Sequence, residues 1–298
     1  MREALTGVLL PVIVVAGLGA LLASRMPIDQ DTVSRITLYL LSPALVGDTV
    51  LHTPIQMTEA LRLSAAYVLV LVVSLAVGWI CGIGARSTST RSLSISVGLW
   101  NAGNMGLPIA LFAFGQAGFE RATILFLVSF IGMYAVGPAV LTLGRDGITV
   151  AGTIRAVMRL PVLWVAAAAL VVRALDAPVP RGVDRGISLM AQATLPMILL
   201  ALGLQLGAGG WVRPTARVWA ATAGRLVIGP IAAWGLGWLI GLRGESLSVV
   251  VLSAAMPTAV NAILIAREYE GDTELVASAV VTTTLLSIPT LVVLLALL

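Results

Sequence analysis

Eight of the fourteen prolines in this 298-residue chain form two series with nearly the same spacing. The two series are Pro11, Pro43, Pro108 and Pro138, and then Pro161, Pro196, Pro257 and Pro289. Corresponding members stand 150, 153, 149 and 151 residues apart. Chance would give one or two such matches, whereas four in the same order indicate an internal repeat. The sequence therefore predicts two halves of one integrated unit, residues 1–150 and 151–298.

The third proline of each series interrupts an apolar segment and has side-chain amides nearby. Asn101 and Asn104 precede Pro108, and Asn261 follows Pro257. Membrane helices broken at matching positions in two halves are the best sequence indication of the binding site of a secondary transporter. These two segments are therefore the first candidates for a functional site.

The composition predicts a polytopic, all-helical membrane protein. Hydrophobic residues make up 59% of the chain and charged residues only 11%. The net charge of +4 is spread over short loops, so no basic patch for nucleic acid is present. A single cysteine and a single histidine exclude a disulfide framework and a thiolate metal site, and we expect no metal and no cofactor.

Apolar stretches of about 20 residues are long enough to cross a bilayer, and ten of them can be placed along the chain. They are residues 4–24, 33–51, 60–84, 93–115, 120–143, 154–175, 186–208, 216–242, 246–266 and 273–298. Five spans per half is an odd number, so the second half enters the membrane in the opposite orientation. The predicted fold is ten transmembrane helices in two inverted five-helix repeats.

The distribution of arginines predicts the orientation of the chain. With the N-terminus outside, the cytoplasmic loops carry ten arginines and the opposite loops seven. Because positive residues are enriched in cytoplasmic loops, both termini are predicted to be non-cytoplasmic.

The segment before Pro108 is expected to unwind. Gly103 and Gly106 permit unusual backbone dihedrals, and proline removes a hydrogen-bond donor. The amides of Asn101 and Asn104 can then bind freed backbone groups or a substrate. Pro108 suits the first turn of the helix that follows, whose N-terminus would offer a positive dipole end to an anion.

The same arrangement is expected in the second half. Pro257 and Thr258 would begin the following half-helix, with Asn261 one turn further on. The alternative for both proline sites is a simple kink in a continuous helix. We favour broken helices because amides accompany both prolines in the repeat.

Arg225 lies well inside the predicted span 216–242. A charge at that depth is a functional candidate by default. The alternative is that its side chain extends to the cytoplasmic interface, since it lies about two turns into the helix. Both interpretations are open at the level of the sequence.

Two motifs resemble the auxin efflux carrier family. The segment from Trp100 to Pro108 is similar to the fourth helix of that family, and the segment from Ala255 to Asn261 to its ninth. Ser42, followed by Pro43, matches the second helix. The resemblance covers essentially the whole chain.

The resemblance implies a fold related to bile acid:sodium symporters, in which the broken helices 4 and 9 cross and a carboxylate binds beside the crossing. The residues that it places at the crossing are Asn101, Asn104, Pro108, Pro257 and Asn261. Plant members carry an acidic and a basic residue in the third helix, whereas residues 60–84 here contain only Arg62 near the start. That departure argues against auxin itself as the substrate.

The sequence therefore predicts a non-enzymatic carrier in a bacterial plasma membrane that moves a small organic anion by alternating access. The expected substrate-binding residues are Asn101, Asn104, Pro108, Pro257, Thr258 and Asn261, and the expected supporting residues are Gly103, Gly106, Ser42 and Arg225. The expected partners are the anion, the bilayer and, as an open option, a second copy in a homodimer. Alternatives are a sodium- or proton-coupled transporter of related fold for another solute, or a membrane sensor.

Overall fold

A computed structural model of the protein describes residues 4–144, 150–208 and 213–298, and these residues form no β-strand. The helices are α1 Leu10–Arg25, α2 Gln30–Ile36, α3 Ser42–His52, α4 Met57–Cys81, α5 Ser87–Gly98, α6 Leu107–Leu141, α7 Val150–Met158, α8 Pro161–Ala174, α9 Arg181–Ala208, α10 Ala216–Ala223, α11 Gly229–Leu239, α12 Gly244–Ala254, α13 Asn261–Glu268 and α14 Thr273–Leu297. Wider π-helical segments precede α1, α3, α6 and α11, at Ala4–Leu9, Thr37–Leu41, Ala102–Gly106 and Gly224–Ile228. The prediction of an all-helical protein is confirmed.

Within the described residues, five helical segments are long and apolar enough to cross a membrane. They are Leu5–Arg25, Met57–Cys81, Ala102–Leu141, Arg181–Gln205 and Thr273–Leu297. Pro161–Ala174 and Gly244–Ala254 are apolar but shorter. These helices agree with an integral membrane protein, while ten spans in an inverted repeat stay a prediction.

The predicted spans 93–115 and 120–143 are separated by a kink and not by a loop. Helix α6 runs from Leu107 to Leu141 and is interrupted at Gly115, which has φ 66° and ψ −159°. A positive φ of this kind is accessible to glycine at little cost, which explains why the chain changes direction at this residue.

Both expected helix breaks are present, but each differs in detail from its prediction. The first lies at residues 99–101, before the Gly103–Pro108 stretch, because Gly103 and Gly106 are accommodated in a π-helical segment and Pro108 lies in the first turn of α6. The second spans residues 255–260, and α13 begins only at Asn261. Pro257 therefore lies inside the break, and the expectation that it begins a half-helix is wrong.

The helices pack in two groups. The first helix group comprises α1, α2, α3, α8 and α9, and the second comprises α4, α5, α6 and α10–α14, with the short helix α7 packed against α6. Contacts within each group are extensive, whereas the main contacts between the groups involve the N-terminal π-helical segment, the Ala102–Gly106 segment and parts of α3, α6, α9 and α14. Each group contains helices from both halves of the sequence, so neither half folds as a separate body.

Helices α1 and α9 make the closest helix–helix contact in the first group. A Cβ atom at Gly203 would overlap the Ala16 carbonyl, and one at Gly19 would overlap the Leu200 carbonyl. Small residues allow this approach of two backbones, as they commonly do between membrane helices. The first helix group is thus held together by a contact that leaves no room for a side chain.

Polar contacts connect the loops at one end of the molecule. Arg121 forms ion pairs with Glu59 at 2.7 Å and with Glu245 at 3.1 Å, which join the starts of α4 and α12 to α6. The Thr53 hydroxyl donates to the Glu120 carboxylate at 2.7 Å. Thr53 follows the first-group helix α3 and Glu120 belongs to the second-group helix α6, so this bond connects the two groups.

Other polar contacts connect the loops at the opposite end. Ser89 donates to Asp272 at 2.8 Å, and Arg91 donates to the Leu141 carbonyl at 3.3 Å. Gln30 donates to the Leu204 carbonyl at 2.9 Å. The described loops that these contacts join fall into two sets at opposite ends, as expected for helices that pass back and forth through a bilayer.

Candidate functional site

The two helix breaks pair with each other through their backbones. Trp100 and Thr258 form an isolated antiparallel bridge. The Asn101 amide donates to the Pro257 carbonyl at 2.8 Å, and the Ala259 amide donates to the Leu99 carbonyl at 2.9 Å. Backbone N–H and C=O groups that lose their partners where a helix breaks are costly in an apolar interior. Here N–H and C=O groups of each break are hydrogen-bonded to those of the other break.

Thr258 fixes the second break to its neighbours. Its hydroxyl donates to the Ser96 carbonyl at 2.7 Å, and its amide donates to the Thr283 hydroxyl at 3.1 Å. The residue is fully buried. Both polar groups of Thr258 are therefore used in holding the break against α5 and α14.

A cavity of about 440 Å³ lies between the two helix groups, against the paired breaks. The first helix group and the Thr37–Leu41 segment contribute Ser34, Arg35, Thr37, Leu38, Tyr39, Ser42, Thr194, Ile198, Ala201 and Gln205. The second contributes Trp100, Asn101, Ala102, Gly103, Asn104, Leu107, Phe126, Ser129, Phe130, Met133, Tyr134, Ala259, Val260, Asn261, Leu264 and Glu268. The volume is in the range of small-molecule sites.

All three asparagines predicted for the site line this cavity. Asn101 is 6% exposed, and its side-chain oxygen accepts from the Asn104 amide at 3.0 Å. Asn261 is the first residue of α13. Asn104 precedes α6 by one turn. The amides thus stand at the N-termini of both half-helices, where freed N–H groups and the helix dipoles favour an anion.

Two of the predicted supporting residues, Gly103 and Ser42, also line the cavity. The other predicted residues are not among its lining side chains. Pro108, Pro257, Thr258 and Gly106 are buried in or beside the breaks. Their contribution in this structure is to the backbone path that presents the asparagines.

An aromatic wall on α6 was missed by sequence reasoning. Phe126, Phe130 and Tyr134 line one side of the cavity, and neighbouring ring centroids are 5.7 and 5.2 Å apart. Their spacing of four residues places them on one helix face. That spacing was a usable signal, but it is equally typical of core packing.

Arg35 and Glu268 are the charged side chains among the residues that line the cavity, and both are exposed. The cavity interior near the asparagines is therefore polar but uncharged. Within the described residues, no group of three or more histidine, cysteine or acidic side chains could hold a metal ion.

Arg225 is fully buried, so the interpretation that its side chain extends to the interface is wrong. Its Nη1 donates to the Val97 carbonyl at 2.5 Å, and its Nη2 donates to the Ala254 carbonyl. Val97 is in the last turn of α5 and Ala254 ends α12. One guanidinium therefore satisfies carbonyls at the C-terminal ends of both broken helices, which have no partners within their own helices.

Trp100 connects Arg225 to the cavity. The guanidinium carbon lies 4.6 Å from the centroid of the Trp100 ring, which is within range of a cation–π contact. The indole also contacts the Tyr67 ring, 4.4 Å between centroids, and its Nε1 donates to the Ser253 hydroxyl at 3.2 Å. Trp100 lines the cavity, whereas Arg225 does not.

Residues 149–295 match the family model described as membrane transport protein. This match spans just under half of the chain, which is similar there to this family of membrane transport proteins. This similarity and the five long apolar helices indicate a multi-pass membrane protein, and its relatives are named as transporters and not as enzymes. The resemblance to the auxin efflux carriers, inferred from the two asparagine–proline motifs, is confirmed by sequence similarity to named carriers of that type.

Three relatives illustrate what the chain is similar to. An "Uncharacterized transporter" of Methanothermobacter thermautotrophicus is 25% identical over 88% of this chain and 87% of the relative. A "Putative malonate transporter" of Rhizobium meliloti is 25% identical over 96% of this chain and 93% of the relative. "Auxin efflux carrier component 6" of Arabidopsis thaliana is 31% identical over 38% of this chain and 20% of the relative.

Proposed function

We propose that this transporter carries a small organic anion, with a carboxylate bound in the cavity at the paired helix breaks. The observation that carries the proposal is the position of Asn101, Asn104 and Asn261 at the N-termini of two half-helices, facing one cavity. Each helix N-terminus is equivalent to about half a positive charge. Among the described residues, Glu268 is the one acid that lines the cavity, and it is exposed, so no buried acid among them offsets this field.

The cavity chemistry fits an anion with an apolar part. Amide N–H groups would donate to the carboxylate, and the wall formed by Phe126, Phe130 and Tyr134 would contact the carbon skeleton. The name of the Rhizobium relative, "Putative malonate transporter", supports a small carboxylate as the substrate class.

Transport would follow from movement of one helix group against the other around the cavity, with the halves related as inverted repeats. We propose that the N-terminus lies outside the cell. The exposed Arg35 and Glu268 at the cavity opening would then face the cytoplasm. The bond between Thr53 and Glu120 then belongs to the closed, outer end.

The test is thermal stabilisation of purified protein by matched pairs of ligands. Acetate, malonate and benzoate are compared with ethylamine, 1,3-diaminopropane and benzylamine. A ligand at about 100 times its dissociation constant adds about 2.7 kcal/mol to the native state. Stabilisation by at least one carboxylate and by no amine is expected, followed by uptake of that carboxylate into proteoliposomes. Stabilisation by amines alone would overturn the proposal.

A further inference from the structure

The Arg225 guanidinium donates to carbonyls at the C-terminal ends of α5 and α12, the two helices that precede the breaks. The carbonyls of Val97 and Ala254 are the C-terminal groups of α5 and α12, and each helix end is equivalent to about half a negative charge. In transporters with discontinuous helices, such half-helix ends commonly coordinate a cation. Here the guanidinium, a permanent cation, takes that position.

Gly229 provides the space for this arrangement. It begins α11, one turn after Arg225, and a Cβ atom there would overlap Nη2 of Arg225 and lie 3.1 Å from the Ala254 carbonyl oxygen. A π-helical segment, Gly224–Ile228, carries Arg225. Such wide turns are rare and are frequent at functional sites. The local backbone is thus shaped around the guanidinium.

The residues held by Arg225 lead directly to the cavity. The guanidinium stacks on Trp100, and the next residue, Asn101, lines the cavity and pairs with Pro257. On the other side, the Ala254 carbonyl precedes the second break, which ends at Asn261. Displacing the guanidinium would therefore change the relative position of the asparagines without removing any group that faces the cavity.

We propose that Arg225 is a positioning residue of the anion site: it fixes the two half-helix ends to each other and offsets their negative dipole ends. The positive N-terminal dipole ends beside Asn104 and Asn261 then attract the anion, and the negative helix ends no longer weaken this attraction. This inference rests on the proposed function, because it assigns Arg225 a role at that same site.

The experiment measures the affinity of the panel carboxylate that binds the wild-type chain most tightly. In Arg225→Ala, the affinity should fall about tenfold or more, since two helix-end charges are left without compensation. Free guanidinium at millimolar concentration should restore part of the affinity by entering the vacated position. Arg225→Lys should retain part of the affinity, because it keeps the charge but loses the fork geometry that reaches two carbonyls.

Two variants keep the proposal testable if Arg225→Ala fails to fold. Gly229→Ala leaves the arginine in the chain but displaces it, and it should also lower the affinity. Gly235→Ala, on the same helix with nothing within 4 Å of the added carbon, should bind as the wild type does.

A matched arginine serves as the second control. Arg243 donates to the Trp238 and Leu242 carbonyls and stacks on Trp238 at 4.7 Å, but it is exposed and lies outside the cavity lining. Arg243→Ala should leave the affinity unchanged. The proposed role of Arg225 would be overturned if folded Arg225→Ala and Gly229→Ala bind the carboxylate with wild-type affinity. It would also be overturned if added guanidinium raises the melting temperature of Arg225→Ala without raising its affinity for the carboxylate. Absence of carboxylate binding by the wild-type chain would instead overturn the proposed function.

Discussion

The backbone amide of Asn101 donates to the carbonyl of Pro257 at 2.8 Å, although the two residues belong to different halves of the sequence. This bond joins the two helix breaks next to the cavity. A displacement of either break would therefore move asparagines contributed by both halves. The site therefore behaves as one unit built from both halves of the sequence.

The cavity asparagines should be needed for binding but not for folding. Asn104→Ala or Asn261→Ala should abolish transport, because each removes an amide donor from the anion site. The melting temperature should change little, since polar contacts within membrane proteins average only about 0.6 kcal/mol.

Proteoliposome uptake and thermal unfolding would check both parts of this prediction. Gln192→Ala is the matched control, because this amide is exposed on α9 and does not line the cavity. Full transport by both asparagine variants would contradict the site assignment.

The contact between Thr53 and Glu120 should keep the cavity closed at the end that we propose faces outward. Glu120→Ala removes the carboxylate that accepts from Thr53 at 2.7 Å across the two helix groups. We expect this variant to admit solvent from outside more often than the wild type does.

The measurement is labelling of Ala201→Cys, a cavity position, in a Cys81→Ser background with an impermeant thiol reagent applied outside. Glu120→Ala should label faster than its parent. Glu274→Ala, which removes an exposed acid at the opposite end, should label at the parental rate. Equal rates in all three proteins would exclude a closing role for this bond.

The close contact of α1 and α9 should tolerate no added carbon. Gly203→Ala would force the backbones apart, and overpacking of this kind costs about 1–3 kcal/mol. Gly17→Ala, on α1 with nothing within 4 Å, should have no such cost. Thermal unfolding of the two variants compares a buried and an open glycine, and equal melting temperatures would contradict the observed packing.

The orientation of the chain can be tested with single cysteines in the Cys81→Ser background. Ser87→Cys lies at the start of α5 and Ala177→Cys lies in the segment between α8 and α9. With the N-terminus outside, only the cysteine at position 177 should react with an impermeant reagent applied to intact cells. Reaction of position 87 instead would reverse the orientation and the side of the cavity opening.

The helix breaks could be predicted from sequence because their causes are local. Glycine, proline and asparagine within a few residues favour an interrupted helix, and the repeat identified the same feature in both halves. The exact bounds of the first break could not be predicted. The Gly106 amide donates to the Asn101 carbonyl at 3.1 Å, and residues 102–106 are helical, so the break lies at residues 99–101.

The partners of Arg225 could not be predicted, because they depend on distant parts of the chain. Its acceptor Val97 is 128 residues away, and Ala254 belongs to another helix. The sequence identified a charge within a span but gave no means of deciding where the guanidinium pointed. The aromatic wall of α6 was missed for a related reason, since a helix face becomes a cavity wall only through the helices opposite it.

The glycine contact between α1 and α9 also imposes an order on biosynthesis. Gly203 follows Gly19 by 184 residues, so α1 enters the membrane long before its main partner exists. At a synthesis rate of about 5–20 residues per second, α1 must remain in lipid alone for roughly 10–40 s. The strongly apolar segment Leu5–Arg25 is suited to that interval, because it can stay inserted without any protein neighbour. Assembly of the first helix group is therefore a late event, completed only after most of the chain has left the ribosome.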